Sequence, residues 1–110
     1  MNDLFNKRCK PCEGGIPALT EPDAKRLTSQ IPGWSLEGAA RIVRSFEFKN
    51  YYETMAFVNA IAWISHREDH HPDLEVDYKR CIVRYSTHAV NGLTENDFIC
   101  AAKVNALVGE

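Results

Sequence analysis

From Asn50 to Asp69 the chain reads NYYETMAFVNAIAWISHRED, with neither glycine nor proline over about five turns of helix, and Pro72 follows closely. Met55, Val58, Ile61, Ala62 and Trp63 give this segment a wide apolar face. Proline disfavours the α conformation in the residue before it, so the helix is expected to end at or before His71. In a chain of 110 residues such a helix is the backbone of the core, and the other elements must pack around it. At 45% hydrophobic, the chain is long enough for one core and too short for two comfortable domains.

The flanking segments come in pairs. Before the helix, Trp34 and Leu36 alternate with polar residues, and Gly38 leads into RIVRSFEF, where Ile42, Phe46 and Phe48 share a parity that Arg44 breaks; this predicts a hairpin. After the helix, LEVDY and KRCIVRYST are joined by a turn at Asp77 to Lys79. In the second strand Cys81, Val83, Tyr85 and Thr87 share one face, and Arg80, Ile82, Arg84 and Ser86 the other. A helix is expected at each end. Thr20 with Asp23 caps one carrying Ala24, Leu27 and Ile31, which Pro32 and Gly33 stop; Thr94 with Asp97 caps another carrying Phe98, Ala101, Ala102 and Val108. The order α-β-β-α-β-β-α predicts an α+β domain over residues 20–110, a four-stranded antiparallel sheet with helices packed on one face. Residues 1–19 are expected to form an N-terminal loop.

That loop holds Cys9 and Cys12 in a C-x-x-C, without the second ligand pair that a structural zinc site needs, so no metal is assigned there. A mobile, reduced pair is the plainer expectation. With 13 Lys and Arg against 15 Asp and Glu, the chain has no basic footprint for nucleic acid. Nothing resembles a signal peptide or approaches the roughly 20 apolar residues of a membrane span, which predicts a soluble, cytoplasmic protein.

Chemistry-bearing residues collect at element ends. His66, Asp69, His70 and His71 close the long helix, His88 ends a strand, and Asp97 lies in the first turn of the last helix. Imidazoles change charge near neutral pH, and His70, His71 and His88 are expected around one cleft if the element ends share a side. His66 and His70, four apart, lack the H-E-x-x-H arrangement of a zinc hydrolase. For His66, complementing the negative helix end suffices. Asp97 serves equally as a capping carboxylate or a site residue. Tyr78 is expected to pack, and Asp73, Glu75 and Asp77 to form a solvated strand edge.

The spacing of His66, His70, His71, Pro72, Tyr78, His88 and Asp97 resembles the signature of the pterin-4a-carbinolamine dehydratase family. S-T-H at 86–88, G-L-T-E-N-D at 92–97, P-G-W at 32–34 and C-x-x-C-E-G at 9–14 are similar to it as well. The resemblance runs from about Thr20 to Val108. It implies the same α+β fold, assembled as a homodimer through sheet edges or as a homotetramer. It further implies a hydro-lyase that removes water from 4a-hydroxytetrahydropterin to give the quinonoid dihydropterin, with no metal and no organic cofactor. Carried over by position, the pocket comprises His70, His71 and His88, with Asp69, Ser86, Thr87 and Asp97 in the substrate-binding set. His70 and His88 suit an acid/base pair, His71 suits pterin binding, and Asp69 or Asp97 suits orienting an imidazole. Two departures are visible, since the family often has an acidic residue at the position of His66 and a basic one at that of Asn96. Animal relatives also act as dimerisation cofactors of a homeodomain transcription factor, so a protein-binding role is the alternative, and a metal-dependent hydrolase using His66, His70 and His88 a third.

Overall fold

The computed structural model describes residues 3–11 and 17–110. Its elements run α1 (Asp3–Asn6), α2 (Glu21–Thr28), β1 (Ser35–Glu37), β2 (Arg41–Glu47), α3 (Tyr51–Glu68), β3 (Asp73–Val76), β4 (Arg80–Tyr85), a single 3-10 turn (His88–Val90) and α4 (Glu95–Leu107). The four strands form one antiparallel sheet in the order β1-β2-β4-β3, with the helices against one face. No helix among the described residues is long and apolar enough to cross a membrane.

The long helix forms for the reasons its sequence implies, but it turns a different face inward. Asn50 caps it by accepting the Glu53 backbone N–H at 2.9 Å. The buried positions are Thr54, Phe57, Ile61, Ser65 and Glu68, a stripe at helical spacing, whereas Trp63 is 61% exposed. Three of the five are polar, and each is satisfied: Thr54 donates to the Asn50 and Tyr78 carbonyls, Ser65 to that of Ile61, and Glu68 accepts from the N-terminal segment. The helix ends at Glu68. Asp69 adopts the left-handed conformation at φ 50°, ψ 44°, and Pro72 then forbids a further turn.

Ile42 and Phe46 on β2, with Cys81, Val83 and Tyr85 on β4, face the core beneath α3 and α4. Arg44 breaks the parity of β2 because its guanidinium leaves the core at the side, donating to the Pro32 carbonyl and Asn105 Oδ1, each at 2.8 Å, and pairing with Glu110. Around α4 burial is almost complete from Asn96 to Ala102, while Val108, expected on its stripe, lies past the helix end and is exposed. The N-terminal region is more than a loop. Asp3–Asn6 forms a helical turn packed on α4, with Leu4 in the core.

Candidate active site

Antiparallel pairing brings the separated histidines together. Asp73 pairs with Arg84, so the chain entering β3 through His70, His71 and Pro72 passes beside the chain leaving β4 through Ser86, Thr87 and His88. Thr87 and Gly92 then bridge, with Thr87 N–H donating to the Gly92 carbonyl at 2.7 Å, which folds the 3-10 turn back and starts α4 at the same end of the sheet. Only glycine fits at 92: a Cβ there would sit 2.8 Å from that of Ala18. A cavity of about 560 Å³ opens where these ends meet, and its lining includes His70, His71, His88, Asp69, Ser86 and Thr87. That volume lies within the range of small-molecule sites.

His70 is the anchored imidazole. Its Nε2 lies 2.6 Å from Oδ1 of Asp97, whose carboxylate is wholly buried. The other oxygen, Oδ2, accepts from Thr87 Oγ1 at 2.8 Å and from the Thr94 backbone N–H at 3.0 Å. A carboxylate oxygen accepts, so this contact favours the His70 tautomer with its proton on Nε2. Tyr85 stacks on the His70 ring, with centroids 5.9 Å apart and planes 7° from parallel. Burial pushes the Tyr85 phenol well above its ordinary range, so it stays protonated as it packs, fully buried, against that ring.

The other expected site residues divide by exposure. His71, His88 and Asp69 are open to solvent in the cavity wall, Ser86 is half-buried, Thr87 lines the cavity but is otherwise buried, and Asp97 lies behind the wall and supports it. Asp97 is absent from the lining, and among the described residues it is Asp97, not Asp69, that grips an imidazole. His66 does not line that cavity; it lies in an adjoining groove between α3 and β3, which His71 and Pro72 also line, with its ring beside Trp63. Tyr78 is exposed in the β3–β4 turn and stacks on Tyr51. Among the described residues no group of three or more His, Cys, Asp or Glu side chains could hold a metal ion.

One wall was invisible in sequence. Cys9, Lys10 and Pro11 also line the cavity, and so do Glu68 and Asn96, which hold them there. Glu68 Oε1 accepts the Cys9 N–H at 2.8 Å and Oε2 pairs with Arg8 at 2.9 Å. Asn96 accepts from the Lys10 N–H at 3.0 Å and donates to the Lys10 carbonyl at 2.7 Å. Burial raises the Glu68 pKa, but the Cys9 N–H and the positive charges of Lys103 and Arg8 outweigh it and hold the carboxyl below its ordinary value. Cys12, the second cysteine of the C-x-x-C, lies outside the described residues; the Cys9 thiol meets Cys100 instead, sulfur to sulfur at 3.5 Å.

Comparison with known proteins gives a consistent picture. Residues 17–107 match the family model described as pterin 4 alpha carbinolamine dehydratase. A Nitrosospira multiformis protein is 58% identical over 97% of this chain and 94% of its own length, and a Nitrosomonas europaea protein is 61% identical over 96% and 93%. Both carry pterin-4-alpha-carbinolamine dehydratase as a provisional name. Among solved structures, a transcriptional coactivator/pterin dehydratase from Brucella melitensis superposes with a TM-score of 0.79 at 35% identity, covering 84% of this chain and 99% of that one. A pterin dehydratase-like RuBisCO assembly factor of the alpha-carboxysome, 24% identical with a TM-score of 0.61 over 71% of this chain and 92% of its own, shares the fold.

Proposed function

The chain belongs to the pterin-4a-carbinolamine dehydratase family, and from that premise we propose that it dehydrates a 4a-hydroxytetrahydropterin to the quinonoid dihydropterin, in support of tetrahydropterin regeneration. The observation that carries this reading is the cavity in which His70, His71 and His88 meet, one of them locked by a buried carboxylate.

The elimination breaks the C4a–O bond and forms the C4a=N5 double bond. One imidazolium gives a proton to the leaving hydroxyl, which departs as water, while a neutral imidazole takes the proton from N5. Substrate and product are both neutral, and the two imidazoles end with their protonation states exchanged, to be reset through solvent. His70 and His88 are that pair, and His71 holds the pterin with Asp69 and Ser86. Asp97, supported by Thr87, positions His70. Each proton transfer contributes about a hundredfold to ten-thousandfold in rate. Assembly as a homodimer or homotetramer accompanies this activity.

Stopped-flow absorbance with chemically prepared 4a-hydroxytetrahydropterin tests the reading. Loss of the carbinolamine should accelerate well above the spontaneous rate in proportion to protein concentration; a rate equal to background refutes it. The Brucella protein's name joins a coactivator role to the dehydratase one, and a partner-binding role here would use the exposed α3 face around Tyr52 and Trp63. Such a role would survive loss of the three histidines, which separates it from the enzymatic one.

A further inference from the structure

The N-terminal strap, Arg8–Pro11, runs along the cavity and carries a nucleophile that the dehydration does not use, the Cys9 thiol. Its Sγ lies 3.5 Å from Sγ of Cys100 on α4, and both cysteines are free. The contact is held from both sides. Glu68 accepts the Cys9 N–H at 2.8 Å, and Asn96 takes both backbone groups of Lys10, so the strap cannot slide along α4 without breaking three hydrogen bonds. Cys100 lies one turn past Asn96 on that helix. Upstream, Leu4 anchors the segment in the core and Lys103 donates to the Phe5 carbonyl at 2.8 Å. Two sulfurs fixed in this way react with each other as neighbours, without a search through solution.

Their surroundings differ, and the difference assigns their roles. Cys9 is half-buried where the strap lines the cavity, whereas Cys100 is wholly buried, so a small reagent entering the cavity meets Cys9 first. The Cys9 S–H donates to the Asn96 carbonyl at 3.6 Å, which leaves its sulfur to accept from Cys100. That contact and burial push the Cys100 thiol far above its ordinary value, so it keeps its proton at neutral pH. A disulfide needs sulfurs about 2.05 Å apart, so the strap must close on α4 by about 1.5 Å. Cys81 is buried on β4, outside this contact.

We propose that Cys9 and Cys100 are a peroxide-responsive thiol pair, in which Cys9 is oxidised first and Cys100 resolves it to a disulfide that locks the strap onto α4. The oxidant is a hydroperoxide. The Cys9 thiolate attacks one peroxide oxygen, the O–O bond breaks, and hydroxide leaves from a sulfenic acid. Cys100 then attacks the Cys9 sulfur, its own proton goes to the departing oxygen, and water leaves as the S–S bond forms. Two thiols are oxidised and one peroxide is reduced to water. In the reduced protein only hydrogen bonds and the Arg8–Glu68 pair hold this wall of the cavity; in the oxidised protein a covalent bond holds it. The pair acts whatever the cavity binds, so the proposal stands apart from the dehydratase reading.

The test treats folded wild type and Cys12→Ser with hydrogen peroxide, alkylates the remaining thiols and digests without reductant for mass spectrometry. In both proteins the intact mass should fall by two hydrogens and one peptide pair should be joined through Cys9 and Cys100, with both thiols restored by dithiothreitol. Cys100→Ala should instead stop at a Cys9 sulfenic acid that dimedone traps. If that core variant misfolds, wild type and Cys12→Ser still decide. Amide hydrogen exchange at Cys9 and Lys10 should slow on oxidation and recover on reduction. A bond from Cys9 to Cys12, a bond between chains, Cys9 sulfinic acid beside an intact Cys100 thiol, or no reaction overturns the proposal. So does a Cys9–Cys100 bond that forms only in denatured protein, and unchanged exchange in the cross-linked protein refutes the lock.

Discussion

His70 Nε2 and Asp97 Oδ1 lie 2.6 Å apart, a contact between a partly buried imidazole in the cleft wall and a carboxylate with no solvent access. Asp97→Asn tests what that contact does. The amide oxygen of Asn can still accept from Thr87 and the Thr94 N–H, while its NH2 faces Nε2 and forces the proton onto Nδ1. The fold should survive, the 15N shifts of His70 should report the reversed tautomer, and kcat should fall by about ten- to a hundredfold, within the acid/base contribution. An unchanged kcat with a reversed tautomer would remove Asp97 from the mechanism.

Gly92 closes the loop that presents His88, and its Cα leaves no room for a methyl beside Ala18. Gly92→Ala should destabilise the protein by about 1–3 kcal/mol, as overpacking does elsewhere. Adding Ala18→Gly should recover most of that loss in a denaturant titration. If the double variant is no more stable than the single one, the close approach is not the reason for glycine.

The site's histidines were legible because each ends an element whose boundary has a local cause: Pro72 stops α3, and the alternation of β4 fixes where His88 emerges. Antiparallel pairing of the two short strands did the rest. The inward face of α3 was not legible, because hydropathy favours Trp63 over Thr54, Ser65 and Glu68; Ser65 is satisfied within the helix by the Ile61 carbonyl, but Thr54 and Glu68 draw on partners elsewhere in the chain. Glutamate is among the residue types least often buried, and its partners Arg8 and Cys9 lie far upstream, so neither periodicity nor spacing joins them. Asn96 stood out in sequence as a departure from a basic position. Its grip on the Lys10 backbone supplies the physical reason that sequence could not.

Glu68 also predicts an acid limit for the strap. Its folded pKa lies below 4.5, so its contribution is fully present above that pH and is lost as pH falls through the lower, folded value. Wild type should be more stable than Glu68→Gln at pH 6, and the difference in denaturant midpoint should shrink as pH drops below about 4.5. A difference that stays constant down to pH 3 would show that the carboxylate charge does not hold the strap.

The β3 edge points to assembly. All four residues from Asp73 to Val76 are exposed, and Leu74 and Val76 pair with the buried Val83 and Cys81, so they sit on the core-facing side without full cover. Exposed edges of this kind are usually paired or covered. Sedimentation should therefore give a multiple of 12.5 kDa at micromolar concentration. Leu74→Lys combined with Val76→Lys should reduce it. A wild-type chain sedimenting at the monomer mass would refute pairing at this edge.

The most exposed claim concerns the imidazoles themselves. Acid/base catalysis by two histidines needs one of them protonated and the other neutral, so kcat/KM should fall on both sides of an optimum near neutrality. Replacing His70, His71 or His88 with Ala should each cut the rate sharply. His71 and His88 are exposed and contribute little packing, so those variants should keep the wild-type thermal midpoint. His70→Ala is different, since it leaves the buried Asp97 carboxylate without its partner and should cost stability as well. His70→Asn, whose amide can still donate to Asp97, separates the two effects. It should recover stability without recovering rate. His66→Ala, outside the cavity, should change neither. The decisive variant is the double substitution His70→Asn/His88→Ala: if it dehydrates the carbinolamine as fast as wild type, after subtraction of the spontaneous rate, these histidines are not the catalytic pair, and what the chain shares with its relatives at this cleft is only the fold.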